Sequence, residues 1–434
     1  MTFNRPLKFL TVLLSAIGIA SVLSVTVTTK NFLESYPAVV CPPTLDGIGS
    51  QISLSSTATP FQKLHNRSTR TEPVKVLRLA VNSDSLVLST EGVTPVIWQS
   101  RAGSWAGGAL CTGPASSQWF VGGAADVTTR GRLIIVNSGL SDAVVDVQSF
   151  TEKGKQPLRA INVVSKNYVV IPVDSLAPGD KILTVHVTPR SGRINAFMID
   201  EQGKGLQALG GDLVNPASSA SKNVIIPAIP NQLSKNTTAL PHTLRILTPG
   251  DVDANVTVEI LSSNGVFVPV GLTSRSIRAG IVTEFQLNPN ITSSVMAIRI
   301  TATEPIVAAI KSTVIVSGRK DFVWSSAASE LVPLTIAVTG LTPIVSFAGD
   351  RINVSMDVTL IDGKVVRQNI KGTDIAIWRV PANATSFTVV KVEAATFAGA
   401  LVSSTNGYGY FPIAAGSILT KIEVPDSNIR VLNP

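Results

Sequence analysis

The sequence is poor in charge, in aromatic rings and in the side chains that bind soft metals. Charged residues make up 15% of the 434 residues, well below the roughly 25% of an average soluble domain. Three histidines and two cysteines are too few for a Cys/His zinc cluster. Hydrophobic residues make up 44% of the chain, and this apolar content excludes a disordered protein over most of the length.

The basic residues do not cluster. The net charge of +8 is spread along the chain, and no stretch interleaves basic with aromatic residues as nucleic-acid-binding surfaces do. We therefore expect no nucleic-acid partner. The pattern is typical of a mildly basic solvated surface, and attraction to anionic lipid headgroups or acidic envelope polymers is the alternative.

Catalytic motifs are missing as well. The chain has no Gly-x-Ser-x-Gly elbow and no His-Glu-x-x-His pair, and the serine–lysine pattern at 219–222 lies in a Ser/Ala-rich linker rather than on a helix. His186 alternates with valines, so we expect it on the solvent face of a strand, and His242 beside Pro241 is expected at the surface. The sequence thus predicts a protein that is not an enzyme, with no catalytic residue, no metal site and no cofactor.

One long apolar run stands at the start of the chain. Arg5 and Lys8 precede an uncharged stretch from Phe9 to Thr29, and about 20 apolar residues in a helix cross a bilayer core. We expect residues 1–30 to be a transmembrane signal anchor that leaves the C-terminal bulk outside the cell membrane. A cleaved signal peptide is the alternative, although the residues after Ala20 offer only poor cleavage sites. Both interpretations place the bulk outside the cytoplasm.

The two cysteines, Cys41 and Cys111, fit that location. Thiol pairs tend to oxidise outside the cytoplasm, and a bridge closing a loop of about 70 residues contributes about 4 kcal/mol in the chain-entropy model. A reactive cysteine would need a positioned histidine, and the nearest in sequence is His65 in a polar run. We therefore expect a structural disulfide.

The chain also repeats itself. The segment Leu133–Gly139 with the following Asp142-Ala143 returns 111 residues later as Leu244–Gly250 with Asp253-Ala254, and a fainter third copy starts at Val354. The repeated runs alternate apolar with polar residues, are rich in β-branched side chains and are separated by turn dipeptides. These features predict an all-β protein of tandem immunoglobulin-like antiparallel β-sandwich domains after one N-terminal transmembrane helix. The predicted units are residues 1–30 (anchor), 31–128 (β domain with the disulfide), 129–222, 223–330 and 331–434 (immunoglobulin-like domains).

Aromatic residues are few, but several of them lie close together in the sequence. Trp105, Trp119 and Phe120 fall within sixteen residues of each other, and exposed rings of this kind can stack on sugars. Filling of a core at a domain seam is the alternative for these rings. We mark the three as candidate binding residues.

The stretch that holds these rings is similar to a known family. The residues Cys111–Pro114, Trp119–Gly123, Leu133–Val136, Asn137 and Asp142-Ala143 resemble the Cys-x-x-Pro, Trp-Phe-x-Gly-Gly and repeated β-unit motifs of a family of secreted or membrane-anchored actinobacterial proteins of unknown function. The chain departs from the pattern at Ser138, where proline is usual. The resemblance covers roughly residues 41–420; it implies an envelope location, supports the disulfide and supplies no activity.

These observations lead to a hypothesis and two rivals. We expect a non-enzymatic, membrane-tethered array of β-sandwich domains that contacts envelope proteins through strand edges or through the aromatic region 111–123. A module that binds cell-wall polysaccharide is the first alternative, and an envelope hydrolase or transferase is the second.

Overall fold

The computed structural model describes residues 31–422, apart from residues 36–37, 65–70, 75, 83, 91, 206, 234–238, 415 and 417. The predicted anchor, residues 1–30, lies outside the described residues, as does His65. Among the residues that are described, no helix is both long enough and apolar enough to span a bilayer.

The described chain consists of strands and turns, with a short 3₁₀ turn at Val173–Ser175. The first half contains β1 (Asn31–Ser35), β2 (Val39–Cys41), β3 (Gly49–Ser53), β4 (Pro60–Leu64), β5 (Thr71–Pro73), β6 (Arg78–Val81), β7 (Ser85–Leu88), β8 (Val93–Arg101), β9 (Trp105–Leu110), β10 (Gln118–Phe120), β11 (Arg132–Asn137), β12 (Ala143–Thr151), β13 (Gly154–Lys155), β14 (Arg159–Val163), β15 (Asn167–Pro172), β16 (Leu183–Ser191), β17 (Ile194–Lys204) and β18 (Gln207–Val214). The second half contains β19 (Ser221–Pro230), β20 (His242–Leu247), β21 (Ala254–Ser262), β22 (Gly265–Phe267), β23 (Arg275–Ile277), β24 (Thr283–Leu287), β25 (Val295–Val316), β26 (Arg319–Ser326), β27 (Leu334–Ala337), β28 (Ile344–Leu360), β29 (Val365–Arg379), β30 (Ala384–Val392), β31 (Phe397–Ser403), β32 (Tyr408–Pro412) and β33 (Ile418–Ile422). The all-β prediction is confirmed.

The chain divides into two compact units. The pairing of β1 with β33 forms a two-stranded sheet that falls largely in one unit. The other unit, Ser35–Ile418, holds the remaining described strands. The four domain boundaries expected from the repeats stay a prediction.

The repeat seen in the sequence has a structural counterpart. Strands β12 and β21 are both nine residues long and begin 111 residues apart. In β21, Val256, Val258 and Ile260 are buried while the residues between them are at least partly exposed. This alternation places one face of the strand in a core, because side chains of successive strand residues point to opposite sides.

Pairs of sheets share apolar cores. The sheet β10-β16-β12-β13, with β14 beside β12, packs against the sheet β15-β11-β17-β18. Their shared core includes Val145 and Val147 from one sheet and Leu133, Ile135 and Met198 from the other. Burying these side chains between two sheets is the main source of stability here, at about 2 kcal/mol for each large apolar side chain.

One sheet joins distant parts of the chain. A ten-stranded sheet runs β32-β31-β28-β30-β27-β8-β3-β6, with β29 added beside β28 and β9 beside β8. Its central link is the parallel pairing of β27 with β8, in which Thr335 lies opposite Val93 and Ala337 opposite Pro95. The early and late β segments are therefore bonded to each other directly rather than strung out in sequence order.

Candidate functional site

The predicted disulfide is present. Cys41 at the end of β2 and Cys111 just after β9 are bonded, with their Cα atoms 4.5 Å apart, and both residues are fully buried. Backbone hydrogen bonds between Val40 and Thr112 flank the bridge on both strands. The bond therefore ties the loop-rich sheet β2-β7-β4-β5 to the edge of the ten-stranded sheet.

Removal of the disulfide should destabilise the chain without changing its fold. For Cys41→Ala/Cys111→Ala we expect the free energy of unfolding to fall by about 3 kcal/mol, because the 70-residue loop is no longer closed in the unfolded state. Urea unfolding followed by tryptophan fluorescence measures the loss, with Ala115→Ser in the nearby loop as a control. An unchanged midpoint would show that the strand pairing around Val40 holds the loop by itself.

The three candidate sugar-binding rings lie in the interior. Trp105 and Phe120 are fully buried and Trp119 is 8% exposed. Trp119 stacks on His186, with ring centroids 3.8 Å apart, and lies 5.9 Å from Phe150. A buried ring offers no free face to a saccharide, so the stacking form of the glycan-binding alternative finds no platform at these residues.

The histidine predictions had different outcomes. His186 is partly exposed and its ring bonds to the Ser117 hydroxyl at 2.8 Å. The expectation for His242 was wrong, since this residue is fully buried. Its ring nitrogens lie 2.9 Å from Ser312 Oγ and 3.2 Å from Asn231 Oδ1, and burial lowers its pKa to about 4.

Four strands from distant parts of the chain meet at the centre of the larger unit. We call this meeting of β9, β18, β26 and β32 the junction. The Asn215 side-chain amide, just after β18, donates to the carbonyls of Gly108 (2.8 Å) and Tyr410 (2.7 Å). The Tyr410 hydroxyl in turn donates to the carbonyl of Ser326 at 2.8 Å. These bonds connect all four strands through buried groups.

Glycines let the strands of the junction approach each other. A Cβ atom added at Gly409 would lie 2.8 Å from Gly107 Cα, and one added at Gly407 would lie 2.1 Å from the Ala106 nitrogen. Likewise, a Cβ atom at Gly211 would meet the Trp105 ring at 2.8 Å. Only glycine fits where backbones come this close.

The junction also buries carboxyl groups. Asp212 accepts hydrogen bonds from the backbone N–H groups of Leu213 (2.8 Å) and Trp324 (2.7 Å), and Asp321 accepts from Gly211 (3.0 Å) and Phe322 (2.9 Å). Burial raises the pKa of Asp321 to about 7 and raises the pKa of Asp212 well above its usual range. The two carboxyl groups therefore tie β18 to β26 by bonds to main-chain donors.

Two cations lie against aromatic rings of β26. Arg245 Nη1 donates to the Gly123 carbonyl at 2.8 Å, its guanidinium pairs with Glu284 at 2.7 Å, and it lies 4.6 Å from the centroid of the Trp324 ring. Lys311 Nζ lies 3.8 Å from the centroid of the Phe322 ring, and burial lowers its pKa. The junction is thus a densely bonded interior that no motif predicted, although Gly-Gly pairs at 107–108 and 210–211 mark it in the sequence.

In contrast to the buried junction, the long strand β29 lies at the surface. It has fifteen residues, and among the described strands its partner is β28 alone. Its even-numbered residues Ile370, Ala376 and Trp378 pack on the core, while odd-numbered residues such as Arg367 and Lys371 are exposed. The backbone groups along the edge of β29 away from β28 are therefore unpaired among the described strands. The exposed side chains of the odd-numbered residues lie next to this edge, on the solvent face of the strand.

The exposed row of β29 is basic. Arg367, Lys371 and Arg379 are all exposed, and Arg367 forms a two-point ion pair with Asp357 at 2.7 Å for each bond. Lys371 and Arg379 form no ion pair with a carboxylate within the described part of the chain. A free strand edge with positive side chains above it is a surface on which an acidic extended segment could add a strand.

Comparison with known proteins gives one family. A model of a family of unknown function (DUF5719) matches residues 82–369, a range that contains β9, β18 and β26 and ends within β29. No curated protein matches the chain.

Proposed function

The chain belongs to this family of unknown function, and from the surfaces of the chain itself we propose that it is a non-enzymatic interaction protein of the cell envelope. The edge of β29 is its contact surface, and the bonds of the junction stabilise the unit that carries this strand. The observation that carries the proposal is the fifteen-residue strand whose outer edge is unpaired among the described strands.

The envelope location rests on two features of the chain. The apolar run from Phe9 to Thr29 with Arg5 and Lys8 before it would export the bulk and tether it by a transmembrane helix. The buried bond between Cys41 and Cys111 suits an oxidising compartment. The motif resemblance to secreted or membrane-anchored actinobacterial proteins supports the same location and origin.

The finer architecture that we propose is a set of immunoglobulin-like sandwiches. Antiparallel pairing within the sheets and the shared core of the β12 and β11 sheets support it. The nine-residue strands β12 and β21, spaced 111 residues apart, support duplication of one unit. In this arrangement the edge strands are the natural contact surfaces, since their outer backbone groups can bond to a partner.

The chemistry of β29 indicates the kind of partner. Main-chain donors and acceptors along an open edge pair with any extended segment, so specificity must come from side chains. The exposed Lys371 and Arg379 favour a protein segment that carries Asp or Glu at alternate positions. We therefore propose an envelope protein with an acidic, extended segment as the partner.

Photo-cross-linking in intact envelopes tests the proposal. A photoreactive residue at Asn369, exposed on β29, should form a defined adduct with a partner protein, whereas the same residue at the exposed Leu140 should not. In Lys371→Glu/Arg379→Glu we expect about tenfold less adduct, because like charges across the contact repel.

The matched control carries the same charge change elsewhere on the surface. Lys181→Glu/Arg278→Glu replaces two exposed basic residues and should leave the Asn369 adduct unchanged. An equal yield of adduct at Asn369 and Leu140, or an equal loss in both double variants, would contradict a contact at β29.

A further inference from the structure

The larger unit contains a cleft whose lining includes no residue of β29. It has a volume of about 710 Å³ and lies between the loop 44–48, the turn joining β8 to β9 and the ends of β11, β15, β17 and β18. We call it the arginine cleft, and the residues that define it are Arg101, Ser104, Arg130, Arg132, Tyr168 and Glu201.

Arg101 holds the two walls of the arginine cleft together. Its Nε lies 2.5 Å from Glu201 Oε1 on β17, and its Nη1 and Nη2 point to the carbonyls of Gly47 (3.4 Å) and Asp46 (3.5 Å). The charge of Arg101 is therefore neutralised by Glu201, and this arginine is a wall element rather than a free anion receptor.

Arg130 and Arg132 differ from Arg101 in this respect. Arg130 Nη2 donates to the Gly205 carbonyl at 3.3 Å, and Arg132 Nη1 donates to the carbonyls of Arg130 and Gly131 at 2.9 Å each. Within the described ranges of the chain, neither guanidinium is paired with a carboxylate. A guanidinium has five N–H donors in a planar fork that fits a carboxylate or phosphate, so both retain donors and full charge for a ligand.

A buried hydroxyl lines the same space. Ser104 is 7% exposed, and its Oγ has no hydrogen-bond partner among the residues that the structure describes. The Oγ atom is also closed to solvent, so it offers no hydrogen bond to a molecule in the cleft, and contacts to an anion there fall to the two arginines.

The remaining lining indicates what surrounds the charge. Gln207 offers an amide donor and acceptor, while Tyr168, Val170 and Ile199 form an apolar wall. An amide beside an aromatic ring suits a ring-shaped body with hydroxyl groups, since the ring contacts its apolar face and the amide bonds to its edge. The volume is also typical of a small-molecule site and far exceeds the needs of a single oxyanion.

From this geometry we infer that the arginine cleft binds an acidic saccharide, a sugar bearing a carboxylate or phosphate. Arg130 and Arg132 hold the oxyanion, and the Gln207 amide bonds to sugar hydroxyls. This ligand site is separate from the strand edge of β29, and it stands whether or not the partner proposed above exists.

Calorimetric titration of the full-length chain in detergent micelles at low salt tests the inference. The probes are D-glucuronate, glucose 6-phosphate, inorganic phosphate and glucose. We expect the two acidic sugars to bind, glucose to show no measurable heat, and inorganic phosphate to bind about tenfold more weakly than glucose 6-phosphate because it lacks the contacts to the sugar body. Binding of glucose as tight as that of glucuronate, or of phosphate as tight as that of glucose 6-phosphate, would overturn the assignment.

Variants distinguish binding in the arginine cleft from a general effect of surface charge. In Arg130→Gln/Arg132→Gln the affinity for both acidic sugars should fall about 100-fold, the loss expected for two charged hydrogen bonds. Arg130→Lys/Arg132→Lys keeps the charge and loses the planar fork, so an intermediate loss is expected. The control Arg278→Gln/Arg351→Gln, two exposed arginines outside the cleft, should bind as the unaltered chain does. Equal affinities in the Gln/Gln cleft variant and the control would refute the site.

Discussion

Replacing Gly407 by alanine is expected to break the junction and to lower the free energy of unfolding by about 4 kcal/mol. The added Cβ atom would lie 2.1 Å from the Ala106 nitrogen and 2.8 Å from the Trp105 carbonyl carbon. Both neighbours are backbone atoms of β9, so no side-chain rotation can make room. Urea unfolding measured by circular dichroism gives the loss as a shift of the midpoint.

The effect should be specific to the junction. Gly250→Ala provides the matched control, because a Cβ atom there meets nothing within 4 Å and the residue has no positive φ. We expect that variant to unfold within about 0.5 kcal/mol of the unaltered chain. A similar loss in both variants would contradict a specific clash with β9, because the effect of alanine on the unfolded chain is by itself stabilising.

The stability of the protein should also depend on pH through Asp321. The pKa of Asp321 is raised from 3.8 to about 7 in the folded state, so the folded chain binds a proton more tightly than the unfolded chain. The stability that this group contributes is complete below pH 3.8 and is lost as the pH rises to about 7, by about 4 kcal/mol in total. Asp321→Asn should remove this fall.

His242 works in the opposite direction over part of the same range. Its pKa is lowered from 6.5 to about 4, so its contribution is complete above pH 6.5 and is lost as the pH falls to about 4. The pKa of His186 is also lowered by burial and adds to this trend. In the unaltered chain the histidines and Asp321 therefore offset each other between pH 4 and 6.5.

The variants should reveal the two titrations one at a time. Relative to the unaltered chain, Asp321→Asn is expected to gain stability as the pH rises from 4 to 6.5, because the contribution of Asp321 no longer falls over that range, while the contribution of Asp212, whose pKa is also raised, remains in both proteins. Relative to the unaltered chain, His242→Gln should lose stability over the same range, and the two differences should largely cancel in the double variant. Thermal unfolding at half-unit pH steps measures all three, with the exposed Asp251→Asn as control; a profile of Asp321→Asn parallel to that of the unaltered chain would contradict the raised pKa.

Much of the fold is readable in the sequence because it is local. Alternation of apolar and polar residues in runs such as Val256–Ile260 reports burial of one face directly. The 111-residue offset of the sequence repeat is also the spacing between the first residues of β12 and β21, which have the same length. The disulfide was readable for a different reason, because two cysteines in an exported chain have few alternatives.

The junction could not be read in this way. Gly407 and Ala106 are about 300 residues apart in the sequence, and a glycine within a strand pattern fits a turn or a bulge as well as a close approach. His242 was misplaced for a related reason. Its neighbour Pro241 suggests an exposed strand start, and nothing local reveals that Asn231 and Ser312 enclose the ring.

The pairing of β27 with β8 has a consequence for how the protein is made. Val93 cannot pair with Thr335 until the later residue has been synthesised. At roughly 5–20 residues per second of synthesis, β8 therefore lacks this neighbour for some tens of seconds. During that interval the nascent polypeptide exposes an apolar ribbon of the sort that aggregates. A chaperone that shields newly emerged chains would therefore be needed most by the early part of this protein, and its yield should depend on how promptly the last third follows.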